Sequence, residues 1–92
     1  MGVIERKAIV ANQLGLHARP AAELAKTANR FEAQIEVAKD GTWVNAKSIL
    51  GVMTLAAERG SELLIKAEGP DGEAAVAAIA ELIERDWNMT DV

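Results

Sequence analysis

With 92 residues, half of them hydrophobic, the chain is long enough to bury one real core and is expected to form a single domain over 1–92. It has no cysteine and one histidine, which excludes disulfides, iron–sulfur clusters and cysteine-based zinc sites, and no metal or cofactor is expected. A net charge of −4 without a basic run argues against nucleic-acid binding, and no apolar stretch approaches the ~20 residues of a membrane span.

The N-terminal residues carry no apolar signal core, so a cytoplasmic protein is expected. Residues 3–11, rich in Val, Ile and Ala, predict a first strand. A helix follows from Pro20 to about Arg30. Proline suits a first turn, where its missing N–H costs little. Ala21, Leu24, Ala25 and Ala28 recur at helical spacing, while Glu23, Lys26 and Arg30 face water.

Ala33, Ile35 and Val37 alternate with Gln34, Glu36 and Ala38 and predict a second strand. Asp40-Gly41 is a hairpin turn signal, and Thr42 to Asn45 is the return strand. Ser48 is placed to cap a short second helix through its hydroxyl, and Gly60 to end it in a left-handed conformation. Val52, Leu55 and Ala56 are expected in the core. Leu63, Ile65 and Ala67 alternate with Glu62, Leu64 and Lys66 as a fourth strand. Gly69-Pro70-Asp71-Gly72 turns the chain, with Asp71 placed to cap the last helix. Val76, Ile79, Ala80 and Ile83 line that helix, Glu81 and Arg85 pair across one turn, and Trp87 anchors its end. The tail after Trp87 is expected to fray.

The predicted order is β-α-β-β-α-β-α. Alternating strands leave one sheet face wet and one dry. The expected fold is an α+β open-faced two-layer sandwich, with a four-stranded antiparallel sheet covered on one face by three helices.

The segment from Asn12 to Ala22 carries the chemistry. The only histidine, His17, follows Gly15 and precedes a helix that opens with proline. There it meets free backbone N–H groups and the positive end of a helix dipole, a setting that holds anions. An imidazole so placed can attack a phosphoryl group, keep it briefly and pass it on. Arg19 adds a planar fork of donors suited to phosphate. No Ser/His/Asp-like set surrounds His17, so a free-standing histidine-dependent enzyme lacks its second acid–base group; the nearest carboxylate in sequence, Glu23, is a helical turn away. A small-molecule-binding module would need a concave apolar pocket, and no residues are arranged to line one.

Gly15-Leu16-His17-Ala18-Arg19-Pro20 resembles the active-site signature of HPr, the histidine-containing phosphocarrier family of the bacterial phosphoenolpyruvate-dependent phosphotransferase system. Lys47-Ser48-Ile49-Leu50-Gly51-Val52-Met53 is similar to the regulatory serine segment of the same family. The likeness covers nearly the whole chain. It implies that His17 accepts phosphate on Nδ1 from enzyme I and gives it to an enzyme IIA domain. It implies that Arg19 stabilises the phosphate, while the backbone of Gly15, Leu16, Ala18 and Pro20 cradles it. Ser48 would be a regulatory phosphorylation site for an HPr kinase/phosphorylase. Ile49, Leu50 and Met53 would form a docking patch, rimmed by Lys26, Lys47 and Arg19 and meeting acidic partners. The chain would act as a relay rather than as an enzyme with its own turnover, and a monomer is the expected state.

The match has one gap. Leu14 stands where several family members carry a small polar residue. Asn12-Gln13-Leu14-Gly15 and Gly69-Pro70 resemble the nitrogen-branch regulatory paralogue, while the Ser48 segment resembles the sugar-type protein. Both branches use the same chemistry.

Overall fold

Residues 2–85 are described by a computed structural model. The elements are β1 (Val3–Ile9), α1 (Ala18–Ala28), β2 (Gln34–Lys39), β3 (Thr42–Asn45), α2 (Ile49–Thr54), β4 (Glu62–Glu68) and α3 (Gly72–Ile83). Strand alternation sets the two sheet faces. On β4, Leu63, Ile65 and Ala67 are buried, whereas Glu62, Leu64 and Glu68 are exposed.

The strands lie in the order β1-β4-β2-β3, with every neighbouring pair antiparallel. β4 runs through the middle, with Val3 opposite Glu68 at one end of its pairing with β1 and Ile9 opposite Glu62 at the other. The β2–β3 hairpin turns at Asp40 and Gly41, whose φ angles of 51° and 84° fit a tight turn matched to strand twist.

The helices cover the dry face. Leu24 of α1, Val52 of α2 and Ile79 and Ile83 of α3 meet Ile35, Val37, Leu63 and Ile65 of the sheet in one buried cluster. Each fully buried aliphatic side chain of this kind stabilises the fold by roughly 1.5–3 kcal/mol. The expected α+β open-faced sandwich is the observed one.

Several local expectations need correction. β1 ends at Ile9 rather than residue 11, although the Val10 N–H still donates to the Ser61 carbonyl at 2.9 Å. α1 starts at Ala18, two residues before Pro20. α2 is only six residues long and ends at Thr54; Gly60, with φ of 87°, belongs instead to the turn that enters β4. The left-handed residue after α2 is Ala56, with φ of 50°, and it is exposed rather than in the core. Ala38, expected on the wet face, is buried there opposite Trp43. Asp71 caps nothing within α3; its carboxylate accepts from the Glu32 and Ala33 N–H groups, both at 2.9 Å. The Glu81–Arg85 pair forms, at 3.1 Å. Trp87 and the tail after it lie outside the described residues.

Candidate functional site

His17 is the N-cap residue of α1, in extended conformation, so the ring leaves the chain where the helix begins. The first N–H of the following turn to find a helical acceptor is that of Ala21, which donates to the His17 carbonyl at 2.9 Å. Helix geometry leaves the N–H groups before it without an intrahelical acceptor, and the helix dipole makes this end positive. Arg19 is exposed on the same turn.

The loop before the helix is built tightly. Gly15 has φ of 73°, and a Cβ there would collide with the Ala57 carbonyl oxygen. Only glycine meets both demands. Leu16 is buried, and its N–H donates to that same Ala57 carbonyl at 2.9 Å. The Gly15 N–H donates to the Asn12 carbonyl at 3.0 Å. These bonds correct the expected phosphate cradle: the Gly15 and Leu16 N–H groups are already engaged, and Pro20 has none. Of the four, only Ala18 offers an N–H that helix geometry leaves without an intrahelical acceptor.

His17 itself is half-buried, and of its two ring nitrogens Nε2 is closed off from solvent without a hydrogen-bond partner. The ring lines a hollow of about 290 Å³ together with Leu14, Leu16, Met53, Ala56, Ala57 and Glu58. Glu58 also lines this hollow, which sequence spacing did not reveal, since the chain returns there 41 residues later. No hydrogen bond or ion pair joins it to His17.

The docking residues divide. Ile49, Leu50 and Met53 are exposed on α2, Leu50 to 74%, while Val52 and Leu55 face the core. Leu14, 65% exposed, extends this apolar surface across the hollow. Lys26 is exposed in the last turn of α1. Lys47 is half-buried, and its Nζ donates to the Phe31 carbonyl at 2.8 Å. Its own N–H donates to Asn45 Oδ1 at 2.9 Å. Ser48 caps α2 as expected, its Oγ accepting from the Gly51 N–H at 3.0 Å.

The family model for the PTS HPr component phosphorylation site matches residues 4–85. The chain belongs to the HPr family. A phosphocarrier protein HPr of Treponema pallidum is 51% identical over 78 residues, covering 85% of this chain and 89% of that protein. The HPr-like protein Crh of Halalkalibacterium halodurans is 43% identical over 84 residues, covering 91% of this chain and 100% of its own. Among solved structures, HPr from Bacillus anthracis superposes with a TM-score of 0.87 at 44% identity, over 90% of this chain and 99% of that one. HPr proteins are phosphocarriers of the phosphotransferase system rather than classical enzymes, and the sandwich described above is the HPr fold. Among the described residues, no helix is long and apolar enough to cross a membrane.

Proposed function

We propose that this HPr-family chain relays a phosphoryl group through His17. Phosphorylated enzyme I, charged from phosphoenolpyruvate, donates to Nδ1; an enzyme IIA domain then takes the group, in sugar uptake or in regulation. The observation that carries this reading is the position of His17 at the N-cap of α1, with its Nε2 enclosed. Transfer forms an N–P bond as the bond to the enzyme I donor breaks, and the second transfer reverses the roles. Both steps are positioning and charge stabilisation, which the helix start and the Arg19 fork supply. Leu14, Ile49, Leu50 and Met53 form the apolar surface on which both partners dock, and Lys26 and Arg19 add charge for acidic partners.

The test is incubation with phosphoenolpyruvate and enzyme I. The chain gains acid-labile, base-stable phosphate, and His17→Ala gains none while keeping its fold. Label on the alanine variant, or none on the wild type, overturns the reading. Arg19→Lys slows transfer by about tenfold or more with little change in melting temperature, because an ammonium cannot reproduce the planar fork; an equal rate removes Arg19 from the mechanism.

Ser48 is the regulatory site of the same proposal. A phosphate on Oγ sits at the start of α2, where negative charge is tolerated, and places repulsive charge on the docking surface.

A further inference from the structure

Among the described residues, two buried side-chain polar atoms have no hydrogen-bond partner: Oδ1 of Asn12 and Nε2 of His17. They lie on one loop. Asn12 is 0% exposed, a polar side chain enclosed in an otherwise apolar core. Its Nδ2 donates to the Gly15 carbonyl at 2.9 Å, and its own carbonyl accepts from the Gly15 N–H at 3.0 Å. Asn12 thus closes the loop onto Gly15 from both sides. Gly15 is held against Ala57, Leu16 is bonded to the same carbonyl, and His17 is the next residue.

A buried acceptor left without a donor destabilises the fold, a cost that an apolar residue at position 12 would avoid. A group kept at that cost calls for a role beyond packing. Oδ1 can only accept and a protonated Nε2 can only donate; no hydrogen bond joins them in the structure, and a single bridging water would satisfy both atoms.

We infer that Asn12 is a positioning residue for phosphoryl transfer at His17, fixing the loop through Gly15 and holding the ring proton on Nε2 so that Nδ1 presents its lone pair to phosphorus. The inference rests on the phosphocarrier reading. Asn12 touches neither phosphate nor partner; it acts through the loop and the ring. The sequence contained a signal for its local part: an asparagine three residues before a glycine fits the first and last positions of a type I β-turn. The orphaned acceptor could not be read there, because it depends on what encloses the side chain.

The test compares wild type with Asn12→Ala and Asn12→Asp. Asp keeps the shape and an acceptor but loses the Nδ2 donor to Gly15. In both variants, kcat for phosphorylation by charged enzyme I falls about tenfold or more while KM for enzyme I is unchanged. Ring ¹⁵N shifts at a pH where the imidazole is neutral report the tautomer: Nε2–H in wild type, a mixture in Asn12→Ala. Folded variants with wild-type kcat overturn the inference, and so does a wild-type ring with its proton on Nδ1. The second readout needs no variant to fold and no partner to be present. Failure of the wild type to take phosphate at all strikes instead at the proposed function.

Discussion

Asp71 shows what single-residue reasoning can and cannot reach. An aspartate before an apolar helix is an expected cap, and the expectation is local. In the folded chain its carboxylate instead ties the α3 start to the turn before β2, accepting from Glu32 and Ala33. The bond from Glu32 is the main cause that holds its pKa below the ordinary carboxylate value, with Ala33 and the charge of Lys47 acting the same way. The sign follows. The unfolded chain takes up the proton first, near pH 4, so this tie stabilises the fold above that pH and is lost as pH falls through the depressed folded value. Asp71→Asn therefore flattens the dependence of stability on pH below about 4, measured as urea midpoints at neutral and acid pH. Parallel acid limbs in the two proteins would remove Asp71 from that balance. The same limit applies to Lys47, whose partner Phe31 lies 16 residues earlier, and to Glu58 beside His17. The placement of His17 at the start of α1 and of Ser48 as the cap of α2 was legible because each depends on the few residues next to it.

At the scale of elements, α2 separates stability from contact. Its core side is Val52 and Leu55; its outer side is Ile49, Leu50 and Met53. Leu50 has little to lose on folding, so Leu50→Ser changes stability by less than about 0.5 kcal/mol. On the proposed docking role it weakens capture by enzyme I, raising KM several-fold in the phosphorylation assay. Ser48→Ala behaves in the opposite way. It removes the cap on Gly51 and costs about 1 kcal/mol in denaturant unfolding, while the variant takes no phosphate from an HPr kinase that modifies the wild type. Loss of docking without loss of stability at Leu50, and the reverse at Ser48, is the pattern that checks the division. The period of α2 was legible in sequence, but its length was not. Gly60 offered the obvious stop, yet the helix ends at Thr54 and the chain crosses to the left at Ala56, whose carbonyl accepts from Lys39 Nζ at 3.2 Å. An alanine gives no local warning of such a turn; β2, through Lys39, contributes to holding it.

At the scale of the molecule, alternation and turn residues carried the architecture. Leu63, Ile65 and Ala67 sit where a period of two places them, and Asp40-Gly41 forms the hairpin. Which strand lies beside which was not legible, because pairing between distant segments leaves no mark in either alone. β4 sits between β1 and β2, and Ile65 of β4 is wholly buried between Arg6 and Val37 in register. Ile65→Ala opens a cavity there and costs about 2–5 kcal/mol by denaturant unfolding. That is a large share of the roughly 5–15 kcal/mol that holds a small protein together. A cost below 1 kcal/mol would mean that the sheet centre collapses onto the gap.

The central place of β4 also bears on biosynthesis. β1 finds its partner only when residues 62–68 have been made, and the His17 loop waits for Ala57 in the same way. At a translation speed of about 5–20 residues per second, the nascent histidine spends some seconds without the scaffold that shapes its surroundings. On the proposed relay, phosphoryl acceptance then awaits the synthesis of residues as far as Ala57.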